Sequence, residues 1–176
     1  MRPSVRPTSQ LGLTALELLA SLAIAGIVLA GAVPGFRHLV LEARMTAAVN
    51  AMVRDLHLAR QAANLRGETV TVCPAAPGNP CGDGGNWQAG WSVYAGLPGT
   101  ADQPPRVLAS SAPGPGIRVL SNRANYAFRP FTRRDTNGTL GFCDARGPAA
   151  VRALVVSPTG KPRLASRAEA RARIKC

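Results

Sequence analysis

The sequence Gly12-Leu13-Thr14-Ala15-Leu16-Glu17 opens onto 19 residues, Leu18 to Phe36, that carry no charge. Such a run sits at the short end of the ~17–25 apolar residues that span a bilayer as a helix. A carboxylate at the mouth of that segment is costly to insert, so Glu17 is expected to find a partner. Arg2 and Arg6 precede the run and favour a cytoplasmic N-terminus, with the bulk of the chain outside. A cleaved secretory signal is the competing interpretation, because Ala30-Gly31-Ala32 imitates a small-residue cleavage site. Against it stand the acid in the N-terminal part and a helical pattern that continues past the run.

Beyond Pro34 and Gly35, apolar residues at Met45, Val49, Met52, Val53 and Leu56 follow the three-four spacing of one helix face. Arg44, Arg54, Asp55 and Arg60 fall elsewhere. Gly67 is a helix stop. One long helix over residues 13–66 is therefore expected, kinked or loosened at Pro34. Its first part, to about residue 36, suits a membrane, and its second part suits the side of a globular domain.

A glycine just before an apolar segment, with a glutamate five residues on, resembles the class III signal of type IV pilins and pseudopilins. The resemblance implies a leader over residues 1–12, cut by a prepilin peptidase between Gly12 and Leu13, and methylation of the new N-terminus. It implies that the Glu17 carboxylate meets the N-terminal amine of a neighbouring subunit. Leu13 stands where that family usually has Phe, and Arg2 and Arg6 supply the leader's positive charge. The protein would then start as a single-pass inner-membrane protein with a periplasmic C-terminal domain. It would reach the cell surface in a pilus, among other major and minor pilins.

Residues 67–176 are enough for one small domain, dense in Pro and Gly, where helical periodicity fades. Short apolar or β-branched runs predict strands at Glu68–Cys73, Gly90–Ala95, Arg106–Ala109, Ile117–Leu120, Tyr126–Phe128, Thr139–Cys143 and Val151–Ser157. Segments 74–86 and 96–105 read as surface loops. Several short strands separated by turns argue an antiparallel sheet or sandwich. The fold class is thus α+β, a long helix packed on a small antiparallel β-domain, as in type IV pilins.

Four cysteines, Cys73, Cys81, Cys143 and Cys176, lie in the part placed outside the membrane, where an oxidising compartment permits disulfides. Three connectivities are possible. Cys73–Cys81, closing a Pro/Gly-rich loop, and Cys143–Cys176, pinning the tail, are favoured. Zinc is the alternative, but there is no C-x2-C pair, and both histidines, His38 and His57, fall in the helix. No metal or other cofactor is expected.

The net charge of +12 is spread unevenly. From Leu13 to Gln103 five arginines face six acids, whereas from Pro104 to Cys176 fourteen Lys or Arg face three acids. A field concentrated in this way attracts polyanions. The arginines cluster as Arg129, Arg133 and Arg134 around Pro130-Phe131, then Arg146 and Arg152, then Lys161, Arg163, Arg167, Arg171, Arg173 and Lys175. Arginine offers a planar fork to phosphate oxygens, and phosphate contacts dominate sequence-independent DNA affinity. Solvation alone, or an arginine-favouring codon bias, is the competing account, strongest for the tail. Tyr126, Phe128 and Phe131 can stack on unpaired bases. Core packing is the expected role, since Tyr126 and Phe128 alternate like a strand's buried face.

Cys73-Pro74, Cys81 and Trp87-Gln88-Ala89-Gly90-Trp91, followed by Tyr94, resemble the CP…C…W-x-x-G-W signature of the FimT/GspH family. Gly90 is expected to let backbone pass closely between the indoles, with Trp87 and Trp91 as core or hinge residues. Gly160-Lys161-Pro162-Arg163 is similar to the G-R-x-R element of FimT-type minor pilins, which bind DNA in natural transformation. Lys161 keeps the charge of the first Arg and loses its fork.

Two functions follow. The first is a minor pilin that captures extracellular double-stranded DNA, without sequence preference, through Lys161, Arg163, Arg167, Arg129, Arg133, Arg134, Arg146 and Arg152. The second is a GspH-like structural pseudopilin of a type II secretion system, which needs no basic face. An enzyme is not supported, because no Ser/His/Asp set or carboxylate pair is evident. Gly82-Asp83-Gly84-Gly85 follows a cysteine loop rather than a strand, so it does not read as a phosphate cradle.

Overall fold

A computed structural model describes residues 14–76, 81–82, 86–96, 106–132 and 134–176. Gly12, Leu13 and Arg133 lie outside the described residues, as does most of the two segments read as loops. The chain divides into two compact units, Met1–Val40 and Leu41–Cys176.

Helix α1 runs over Ala15–Arg66, assigned without a break through position 34. Its start is a capping box, Thr14-x-x-Glu17: Glu17 N–H donates to Thr14 Oγ1 at 3.3 Å, and Thr14 N–H donates to Glu17 Oε2 at 3.2 Å. In the first unit the helix has mean hydropathy 2.2 over an 18-residue window, long and apolar enough to cross a membrane. Leu16, Leu19, Leu22, Ile27 and Phe36 are all exposed. An uncovered apolar surface of that length suits a membrane anchor.

In the second unit, Met45, Val49, Met52 and Leu56 are buried, as their spacing predicts, and Ala59 and Ala63 extend the stripe. The helix ends where expected: Gly67 takes φ +67° and donates its N–H to Ala63 O at 3.0 Å.

Among the described residues, the domain forms two four-stranded antiparallel sheets. The strands are β1 (Val70–Pro74), β2 (Trp91–Ala95), β3 (Arg106–Ser111), β4 (Arg118–Ser121), β5 (Tyr126–Phe128), β6 (Gly138–Cys143), β7 (Arg152–Val156) and β8 (Pro162–Leu164). One sheet has the order β3-β2-β1-β5 and the other β4-β6-β7-β8. All seven expected strands are present within a few residues of their predicted ends. Strand β8, and the short helix α2 (Arg167–Arg173) after it, stand where the sequence reads only as a basic tail.

Both indoles of the W-x-x-G-W element are core. Trp87 and Trp91 are fully buried among Val72, Val93, Tyr126 and Phe142. Trp87 meets Tyr126 edge-on, with ring centroids 5.8 Å apart. Trp91 Nε1 donates to the buried Asp55 of α1 at 2.8 Å, which ties the signature to the helix. Gly90, between the two indoles in sequence, lets backbone pass closely, as expected. Its φ is +113°, and an added Cβ would lie 2.5 Å from Ser111 O, so the close approach is to strand β3.

The cysteines pair as Cys73–Cys81 and Cys143–Cys176, with Cα–Cα separations of 5.3 and 5.6 Å. The second bridge brings Ile174 over β6 at Gly141, where any Cβ would lie 2.6 Å from the Ile174 side chain.

Candidate nucleic-acid interface

The expected DNA-contacting residues fall into three groups. Lys161 sits on the turn between β7 and β8. The turn closes through Ser157 N–H to Lys161 O at 3.0 Å and Gly160 N–H to Ser157 O at 2.8 Å. Gly160 is left-handed, with φ +70°, and a Cβ there would run into Arg60, Asp135 and Phe128. Only glycine fits between the turn and the ion pair beneath it.

That ion pair joins Arg60 of α1 to Asp135, with Nη1 2.6 Å from Oδ2, and Arg60 also donates to Thr159 O. Asp135 is the hub. Its Oδ1 accepts from Arg129 N–H at 3.1 Å, and its own N–H donates to Pro158 O at 2.8 Å. The segment after β5, which carries Arg129 and Arg134, is thereby bound to the turn that carries Lys161. Arg129, Arg134 and Lys161 are all exposed. Tyr126 and Phe128 are buried, and burial pushes the Tyr126 hydroxyl up to about 12. Phe131 is the exception, 83% exposed.

Arg163 lies on the edge strand β8, paired in register with Val155. Its guanidinium makes a fork–fork contact with Glu169 of α2, Nη1 to Oε2 at 2.9 Å and Nη2 to Oε1 at 2.8 Å. Arg173 approaches the same carboxylate at 3.1 Å. These contacts hold the Glu169 carboxyl below the usual carboxylate range, with Arg163 the leading cause.

Arg146 and Arg152 have a structural task. Arg146 pairs with Asp144 at 2.6 Å and with Glu42 of α1 at 2.8 Å, and Arg152 pairs with Glu42. Their side chains are only 16% and 25% exposed. Arg167 lines a cavity of about 210 Å³ with Glu42, Arg146 and Arg152. It remains exposed itself.

All three acids of residues 104–176, Asp135, Asp144 and Glu169, are therefore held by arginines. Among the described residues, Arg129, Arg134, Lys161 and Arg167 have no carboxylate within ion-pair distance. These four exposed cations are the positions left open to an anion. The supporting residues Arg60, Asn64 and Asp135 carried no readable signal in the sequence. Helix α2 did, as Ser166 is a ready N-cap, and its hydroxyl accepts Glu169 N–H at 3.2 Å.

A sequence model of the family described as Type II transport protein GspH matches residues 48–160. The fold is similar to that of the type IV minor pilin FimU of Pseudomonas aeruginosa, with TM-score 0.54 and 16% identity, over 70% of this chain and 94% of that one. It is similar as well to the minor pseudopilin EpsH from the Type 2 Secretion System of Vibrio cholerae, with TM-score 0.53 and 13% identity, over 70% of this chain and 97% of that one. No curated protein matches the chain significantly.

Proposed function

Since the chain belongs to the GspH family of type IV minor pilins and pseudopilins, we propose that it is a minor pilin that binds extracellular double-stranded DNA for natural transformation. The N-terminal helix anchors it in the inner membrane, and after prepilin-peptidase cleavage at Gly12-Leu13 it assembles among other pilins. In the filament Glu17 exchanges its capping partner Thr14 for the methylated amine of a neighbour. The C-terminal surface does the binding. One observation carries this role: every acid of the far half is taken up by an arginine, while Arg129, Arg134 and Lys161 stay open on two segments joined through Asp135.

Phosphates would be held by Lys161, Arg129 and Arg134, with Arg167 adding an open charge by the Glu42–Arg146–Arg152 cavity and Arg133 contributing from outside the described residues. Arg163 takes part as it leaves Glu169, exchanging one fork–fork anion contact for another. Arg146 and Arg152 contribute to the field rather than to contacts. Binding of this kind is indifferent to sequence and falls steeply with salt.

The test is a salt titration of duplex binding by the full chain in nonionic detergent, with the Lys161→Glu/Arg163→Glu variant beside it. Log affinity should fall linearly with log salt, and the variant should lose about two charges' worth of slope. A variant that binds like the parent would remove the site assignment. Absence of any salt-dependent binding would favour the second role, a structural pseudopilin of type II secretion, for which the fold's likeness to EpsH speaks.

A further inference from the structure

Phe131 breaks two rules at once. It is 83% exposed, and it is the one non-glycine among the described residues with positive φ, +56°. A bulky residue in the left-handed region is strained and persists only where its surroundings hold it. Here they do. Asn64 of α1 accepts Phe131 N–H through Oδ1 at 3.2 Å, and Thr132 Oγ1 donates to Arg134 O at 3.2 Å. The fold pays to aim this ring into solvent. Pro130 and Thr132 flank it, and the exposed Arg129 and Arg134 lie two and three residues away.

An aromatic face with cations on both sides matches one nucleotide, a base for the ring and its phosphates for the guanidinium groups. Stacked duplex bases hide their faces, so the ring needs bases that are already unpaired.

We propose that Phe131 is a stacking platform for an unpaired base, in single-stranded DNA or at a frayed duplex end, with the flanking phosphates lying on Arg129 and Arg134. This rests on the DNA-binding role above and adds to it a preference for exposed bases.

The experiment separates the two. The full chain in nonionic detergent is titrated with an oligo-dT strand, an abasic strand of the same length and a blunt duplex. Strand and abasic strand carry the same phosphates and differ only in bases. The protein should prefer oligo-dT over the abasic strand by about fivefold or more. Phe131→Ala should abolish that ratio while leaving abasic-strand and blunt-duplex binding within about twofold, and Phe131→Trp should retain it. Equal binding of the two strands by the parent, or a ratio that survives in Phe131→Ala, overturns the stacking role and leaves the DNA role standing. Binding of none of the three probes overturns both. If Phe131→Ala keeps the ratio but loses association with other pilin subunits, the ring is a subunit contact and the proposal fails.

Discussion

Arg163 and Glu169 face each other fork to fork, at 2.9 and 2.8 Å, on the exposed edge of the second sheet. Glu169 occupies the very donors that a phosphate would use, so it competes with any polyanion for Arg163. Glu169→Gln keeps the backbone N–H that Ser166 caps and removes the charge. DNA affinity should rise, and the salt dependence should steepen by about one phosphate contact. Fluorescence anisotropy across a salt series reads both, and an unchanged slope would show that Arg163 stays outside the contact.

Gly160→Ala tests the seat of the basic turn. The new methyl group would need the left-handed backbone and would meet the Arg60–Asp135 pair. A stability loss of about 1–3 kcal/mol is expected, read by urea unfolding. DNA binding should weaken with it, because the turn carries Lys161. A variant as stable as the parent would mean that the turn can move off its support.

Asp55→Ala probes the link between helix and signature tryptophan. It strips the buried Trp91 N–H of its acceptor and Arg54 of its ion-pair partner. Leaving such a donor unpaired costs about 1–3 kcal/mol. The thermal midpoint should drop, and the emission of the buried indoles should change. An unaltered midpoint would assign Asp55 no share in the core.

Acid should loosen the contact between α1 and the second sheet. The hydrogen bond from Arg146, with help from the charge of Arg152, holds the Glu42 carboxyl below its usual range. A lowered carboxyl contributes stability that is fully present above the ordinary carboxylate range and is lost as pH falls through the lowered value. The pair is partly exposed, so the contribution should stay below about 1 kcal/mol. Thermal midpoints against pH should decline more gently on the acid side for Glu42→Gln than for the parent. Parallel curves would show that Glu42 is not responsible.

Local features of the sequence were the readable ones. Met45, Val49, Met52 and Leu56 announced the buried face of α1 because a helix repeats its faces every three or four residues. Cys73 and Cys81 lie eight residues apart, and their pairing followed from the short loop between them. Phe131 left a trace too: it falls out of the Tyr126/Phe128 alternation and so off the buried face. What stayed hidden were partnerships across distance. Glu42 lies 104 residues from Arg146 and 110 from Arg152, and no local pattern marks those arginines as occupied. Strand β8 and helix α2 escaped notice because their side chains are basic or small, with little apolar periodicity, although Ser166 and Glu169 marked the helix start.

The turn bearing Lys161 is moored to α1 through Arg60, and the loop bearing Phe131 through Asn64. In mechanical terms, a polymer caught on these loops pulls on the long helix directly. Under the DNA-binding role proposed above, a pulled strand would have to break the charged Arg60–Asp135 clasp before the turn came away. In that role the mooring would couple captured cargo to the helix by which a pilin is held.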